Sequence, residues 1–257
     1  MATAFADRGA GVVPSRFFLW VAGAVVIIAF GGFMPTYWLR VAAGNFTGQP
    51  VMHLHGALFF AWTLLYFSQS LLVSVGRVPD HRKWGLLGIG LVGAMAITVP
   101  LVSINSMWAA DRLGPEAGDL ARRFSAVPLT GLPIIVGFFG LAIANTSHPA
   151  VHKRLMLMMQ VPLLQAAFSR LVATAMTPPG APPGSPPPGA FVSVPGGLAM
   201  DLIIVAGMVH DKRAFGRVHP AYWIGLAIIV AQQLLVVPIS RSDGWLSFAL
   251  WFQHLVR

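Results

Sequence analysis

Runs of apolar residues, each about 20 residues long, recur from one end of the chain to the other. A helical run of this length crosses the roughly 30 Å hydrocarbon core of a bilayer and satisfies its own backbone hydrogen bonds there. A membrane β-barrel would show short alternating segments instead. The sequence therefore predicts an all-α, polytopic transmembrane bundle that forms one membrane domain over residues 1–257. The predicted spans are 17–39, 52–75, 82–105, 128–146, 152–175, 194–210 and 219–240.

Three connections between the predicted spans share one design. Each holds basic residues and a His in a short turn, and the turns read GRVPDHRKWG (76–85), SHPAVHKRLM (147–156) and GRVHPAYWIG (216–225). The repeat predicts a leading helix followed by three helical hairpins. The other connections differ: we expect a mixed-charge loop over 106–126, a Pro-rich loop over 177–190 and an interfacial tail helix over 245–256.

Basic residues are divided unequally between the two sides of this predicted bundle. The lysines Lys83, Lys153 and Lys212 all lie at or near the hairpin turns, together with most of the arginines. The positive-inside rule places that side and the N-terminus in the cytoplasm, and an odd number of spans places the C-terminus outside. The net charge of +9 is thereby explained by topology, so we expect a lipid bilayer as partner and no nucleic acid.

Several classes of chemistry are excluded. The chain has no cysteine, so disulfides, thiolate metal sites and cysteine nucleophiles are ruled out. The predicted spans contain no lysine that could form a retinal Schiff base. No phosphate-binding loop, zinc-protease motif or serine-hydrolase motif is present, so whether the protein is an enzyme stays open. Any function has to be sought among the polar side chains within the membrane.

Histidines stand at the start of three predicted helices at similar depth: His81, His152 and His219. Two such imidazoles on facing helices are the axial ligands that a b-type haem requires. The helix that follows His81 supplies small residues that would admit the macrocycle, namely Gly85, Gly88, Gly90 and Gly93. Contact with lipid headgroups is the structural alternative for polar residues at this boundary. Beyond a haem iron, no metal site is predicted.

A polar stripe follows the second predicted span. His55, Trp62 and Gln69 share one helical face with Phe59 and Tyr66. We predict that this face lines a site for a proton, a quinone headgroup or a small anion. The fifth and sixth spans would complete the site with Gln160, Arg170 and Asp201. A buried Arg170–Asp201 pair that only fixes helix packing is the alternative.

Two motifs resemble those of a bacterial family of uncharacterised multispan membrane proteins. The first is a Gln-bearing helix, a basic turn and a His-Arg-x-x-Gly helix start, and it comprises Trp62, Gln69, Gly76, Arg77, His81, Arg82 and Gly85. The second is similar to the family's His-x-Arg-x-Met…Arg helix, and it comprises His152, Arg154, Met156 and Arg170, with Leu155 where a Trp is typical. The His-bearing hairpins are also similar to those of cytochrome b561-like proteins. The resemblance covers spans two to five and implies a multi-pass protein of the bacterial inner membrane. The charge distribution then makes the outer side, with the C-terminus, periplasmic.

Three hypotheses of function follow. The first is a haem-associated redox or electron-transfer protein in which His81 and His152 bind haem b, with His219 as the substitute ligand. The second is a non-enzymatic transporter, sensor or assembly factor whose polar side chains line a ligand cavity. The third is a structural subunit without a ligand. A quinone or another membrane protein is the expected partner.

Overall fold

The structure, a computed structural model, describes residues 16–176 and 189–256. The helices of these residues are α1 (Phe17–Gly32), α2 (Leu39–Ala42), α3 (Pro50–Ser74), α4 (Val78–Asp111), α5 (Pro115–Phe124), α6 (Ala126–Ala144), α7 (Pro149–Met176), α8 (Ser193–Phe215), α9 (Pro220–Arg241) and α10 (Asp243–Gln253). A π-helical turn (Met34–Trp38) joins α1 to α2, and a 3-10 turn (Ala190–Val192) precedes α8. Residues 177–188 of the expected Pro-rich loop lie outside the described residues.

Seven helical segments of the described chain are long and apolar enough to cross a membrane. They are Phe17–Ala42, Pro50–Ser74, Val78–Asp111, Pro115–Ala144, Pro149–Met176, Ala190–Phe215 and Pro220–Arg241. The predicted all-α bundle of about seven spans is therefore confirmed, and the chain is a multi-pass membrane protein.

The leading helix and the three hairpins of the prediction are present. The hairpins are α3–α4, α6–α7 and α8–α9, and the two helices of each pack against one another. Gly76 (φ +79°) and Gly216 (φ +73°) occupy the left-handed backbone region that ends a helix, and both lie in hairpin turns. A proline in the first turn of α4, α7 and α9 then restarts the helix. We call the side that holds the three turns the turn side, and the other the opposite side.

Helix α7 lies at the centre of the bundle. It contacts α1, α6, α8 and α9, and its buried residues are distributed around the helix rather than along one stripe. Leu157, Met158 and Met159, which are consecutive and therefore point in different directions, are all fully buried. The flexible methionine side chains fill the irregular space between the surrounding helices.

The expected mixed-charge loop over 106–126 is helical instead. Helix α4 continues to Asp111, and α5 begins at Pro115 after a three-residue connection. The charged side chains are satisfied by one another, because Arg122 binds Asp111 at 2.5 Å and Asp119 at 2.9 Å. Gln253 of the tail helix α10 joins this network by accepting from Arg122 and donating to Asp111. The segment therefore folds as a cap on the opposite side of the bundle.

Candidate functional site

His81 and His152 lie together on the turn side of the bundle. Each belongs to the first turn of its helix, α4 and α7 respectively. The centroids of the two rings are 6.3 Å apart, with their planes at 81°. The structure thus brings two of the three histidines singled out in the sequence into contact.

The two rings differ in how their nitrogens are bonded. Nδ1 of His152 donates to the carbonyl oxygen of Ala142 on α6, at 2.8 Å, so Nε2 is the ring nitrogen left for another partner. Nδ1 of His81 is buried and has no hydrogen-bond partner among the described residues. A ring that is held through one nitrogen and offers the other is the arrangement in which histidine binds a metal.

Gln69 of α3 extends this polar group. Nε2 and Oε1 of its side chain are both buried, and neither has a hydrogen-bond partner within the described chain. Oε1 faces Gly85, one turn beyond His81 on α4, where a β-carbon would lie 3.5 Å away. We call Gln69, His81 and His152 the histidine site, in which the side-chain amide of Gln69 and Nδ1 of His81 have no hydrogen-bond partner among the described residues.

The four glycines of α4 that were expected to admit a macrocycle have three different surroundings. Gly85 borders the histidine site through Gln69. Gly88 instead packs against the ring of Trp62, where a β-carbon would lie 3.4 Å from the indole. Gly90 and Gly93 have no neighbour within 4 Å of an added β-carbon and are exposed on the surface of the bundle. Only Gly85 of these four therefore borders the site.

His219 lies in a second polar group, around Asp211. Its backbone N–H donates to Oδ2 of Asp211 at 3.3 Å, and its Nδ1 accepts from the N–H of Ala221 at the start of α9. Burial, and then the positive charge of Arg154, lowers the pKa of His219, so its neutral form is favoured. The structure thus assigns His219 to the cap of α9.

A fully buried ion pair joins α7 to α8, and the sequence reading missed it. Nε and Nη2 of Arg154 donate to the two carboxylate oxygens of Asp211, at 2.8 and 2.6 Å, and neither side chain is exposed. The available signal was the sequence His210-Asp211-Lys212-Arg213, because an acid among basic residues at a membrane boundary requires a partner.

The polar stripe of α3 faces the interior, and its middle part is a structural contact. Trp62 and Tyr66 are buried, and Nε1 of Trp62 donates to Oε1 of Gln160 on α7 at 3.1 Å. Gln160 in turn donates through Nε2 to the carbonyl oxygen of Met156. Because these groups satisfy one another, this pair joins α3 to α7 and leaves no group for a ligand.

The remaining residues of the expected ligand site lie in separate places. His55 contacts Thr98 of α4 at 3.3 Å, whereas His53 points outward to the hydroxyl of Tyr37. The guanidinium of Arg170 lies 4.8 Å from the centre of the Phe33 ring, a cation–π contact. This arrangement places His55 and Arg170 on the opposite side of the bundle, away from the turns.

Asp201 does not pair with Arg170 in the structure. Its Oδ1 accepts from Nε2 of Gln233 on α9 at 3.2 Å, and it forms no salt bridge within the described chain. The expected site of His55, Trp62, Gln69, Gln160, Arg170 and Asp201 is therefore divided among four local contacts and, for Gln69, the histidine site.

Comparison with protein-family models, with curated proteins and with solved structures found no match to this chain.

Proposed function

We propose that the protein is a haem-associated membrane redox protein in which His81 and His152 would hold a haem b. The contact of the two imidazoles, with ring centroids 6.3 Å apart, carries this proposal. Imidazoles on facing helices are side chains that hold haem b in membrane proteins. When bound, the group would supply one-electron transfer.

The surrounding residues support the same assignment. The carbonyl of Ala142 accepts from Nδ1 of His152 and orients its ring, so Nε2 is the nitrogen that would hold the group. Nδ1 of His81 is buried without a hydrogen-bond partner among the described residues and would be open to the group. Gly85 borders the site through Gln69, while the other three glycines of α4 do not.

The position of the site indicates where electrons would enter. We propose that the turn side faces the cytoplasm of a bacterium, because the lysines and most arginines lie there, and that the opposite side faces the periplasm. The histidine site would then lie at the inner boundary of the membrane. A quinone or another membrane protein is the expected electron partner.

The absorption spectrum of the protein, purified in mild detergent from haem-replete cells, tests this function. We expect a Soret band that shifts on reduction with dithionite and is lost in His81→Ala and in His152→Ala. His219→Ala and His254→Ala are the matched controls and should retain the band, because His219 caps α9 and His254 lies against Trp108. A wild-type protein without a Soret band would overturn the proposal.

Gln69 favours a second function. In this case the protein would be a transporter, sensor or assembly factor that binds a small polar molecule. The amide of Gln69 can donate two hydrogen bonds and accept others, and none is made among the described residues. If the Soret band is absent but a soluble quinone raises the melting temperature of the wild type and not of Gln69→Leu, this second function replaces the first.

A further inference from the structure

A buried carboxyl group and a buried amide meet between α8 and α9. Asp201 is 6% exposed and Gln233 is fully buried. Nε2 of Gln233 donates to Oδ1 of Asp201 at 3.2 Å. Oδ2 of Asp201 and Oε1 of Gln233 are both buried, and neither has a hydrogen-bond partner in the described chain. Two oxygens thus lack a donor at the same contact.

The ionised form of Asp201 fits this environment poorly. A buried carboxylate is strongly destabilised unless a cation or several hydrogen-bond donors compensate its charge. Asp201 has one neutral donor, Gln233, and forms no salt bridge within the described residues. By contrast, Asp211 ten residues later on the same helix has a bidentate arginine. Of the two acids of α8, Asp211 therefore has a cationic partner, whereas Asp201 has a neutral one.

Charged side chains on the neighbouring elements have other contacts. On α7, Arg154 binds Asp211, and Arg170 lies over Phe33. The polar residues of α7 nearest the start of α8 are Gln165 and Ser169, and both donate to the carbonyl oxygen of Ser193. On α9 the polar side chain that meets Asp201 is Gln233, and the 3-10 turn before α8 holds only Ala190, Phe191 and Val192.

Protonation of Asp201 would give each of these two oxygens a hydrogen-bond partner. A proton on Oδ2 turns that atom into a donor, and Oε1 of Gln233 is an acceptor on the side chain already bonded to the same carboxyl group. A neutral acid and an amide can share two hydrogen bonds in this way. Gly197 leaves room for the arrangement, since a β-carbon there would lie 2.7 Å from Nε2 of Gln233.

We infer that Asp201 and Gln233 form an intramembrane proton-binding site. Asp201 carries a proton on Oδ2, and this O–H group donates a hydrogen bond to Oε1 of Gln233. The proton leaves to water as Asp201 ionises, and its release removes the donor that satisfies Gln233. This site lies on α8 and α9 and uses none of the residues of the histidine site, so it is independent of the haem proposal.

Infrared difference spectroscopy of the wild type and Asp201→Asn tests the inference. We expect the wild type to show the carbonyl stretch of a protonated carboxylic acid at neutral pH, and Asp201→Asn to lack it. Asparagine presents one donor and one acceptor in the same places as the neutral acid, so this variant should melt within about 2 °C of the wild type. Asp201→Leu, which removes both partners of Gln233, should lower the melting temperature by more than about 4 °C.

The pH dependence supplies a second readout. A proton bound more tightly in the folded than in the unfolded state stabilises the fold at low pH, and this stabilisation is lost as pH rises. The wild type should therefore lose more stability than Asp201→Asn when the pH is raised, and Gly197→Ala, which displaces Gln233, should weaken the carboxylic-acid band.

Three outcomes would overturn the inference: a wild type without the carboxylic-acid band, an Asp201→Asn variant that does not fold, or stabilisation of the wild type and not of Asp201→Asn by sodium ions. The last result would show an ionised carboxylate that binds a cation. Each readout is obtained whether or not the protein contains haem.

Discussion

The Arg154–Asp211 pair shows how differently individual charged residues of this protein are placed. Both side chains are fully buried, and the guanidinium binds both carboxylate oxygens. Arg77 and Asp80 also form an ion pair, at 2.6 Å, but with 64% and 38% of their side chains exposed. Burial removes water from both charges of the first pair, so each depends on its partner. Loss of one partner should therefore lower the stability of the protein strongly for the first pair and hardly for the second.

We predict that Asp211→Ala lowers the free energy of unfolding by about 3–5 kcal/mol, since it leaves the buried charge of Arg154 without its carboxylate. Asp80→Ala is the control and should cost less than about 1 kcal/mol. Unfolding in detergent, followed by circular dichroism, measures both. The double variant Arg154→Met with Asp211→Leu should recover most of the loss, and equal destabilisation by the two alanine variants would contradict the assignment.

At the residue scale, the sequence placed three histidines at one depth and favoured His81 and His152 as the pair, but it held no signal that fixes which rings meet. Helix rise converts residue number into depth, so His81, His152 and His219 were all predicted at the turn side. Their direction around the helix axis depends on how each helix is rotated against its neighbours. That rotation brings His81 to His152 and leaves His219 beside Asp211.

Among the helices, the contact between α1 and α7 depends on one small residue. A β-carbon on Gly32 would lie 2.6 Å from the carbonyl oxygen of Ala167, so only glycine permits the two backbones to approach this closely. Gly31, next to it, has nothing within 4 Å of an added β-carbon. Small residues at such positions are the usual basis of close helix packing in membranes.

We predict that Gly32→Ala destabilises the protein by about 1–3 kcal/mol, because α1 has to move away from α7. Gly31→Ala should be neutral or stabilising by up to about 1 kcal/mol, since alanine favours a helix more than glycine does. Thermal unfolding of the two variants under identical detergent conditions provides the comparison. A loss of stability in Gly31→Ala as large as in Gly32→Ala would show that the contact is not the cause.

Helix ends were predicted less well than helix centres. The sequence placed the third span over 82–105, whereas α4 covers Val78–Asp111. The additional residues at the two ends include Asp80, His81 and Asp111, and Asp111 is held by Arg122 and Gln253 from α5 and α10. Contacts with elements far along the chain therefore extend this helix beyond its apolar part.

For the molecule as a whole, the orientation in the membrane can be tested with single cysteines, because the chain has none of its own. Ser147 lies in the turn before α7, and Glu116 lies in α5 on the opposite side, and both are exposed. We predict that an impermeant maleimide labels Glu116→Cys on intact spheroplasts and labels Ser147→Cys only after the membrane is opened. The reverse pattern would place the turn side, and the histidine site with it, outside the cytoplasm.

The sequence by itself determined the apolar, membrane-spanning character of the chain, the number of spans, the three hairpins and the position of each polar residue along its helix. These properties follow from local quantities, namely hydropathy over about 20 residues, turn residues and helix rise. Only the tertiary structure decided that Asp211 pairs with Arg154, that Asp201 meets Gln233 and that α7 is central. The reason is that partners of a buried polar group are chosen by the rotation and packing of helices, and these depend on all the surrounding helices at once.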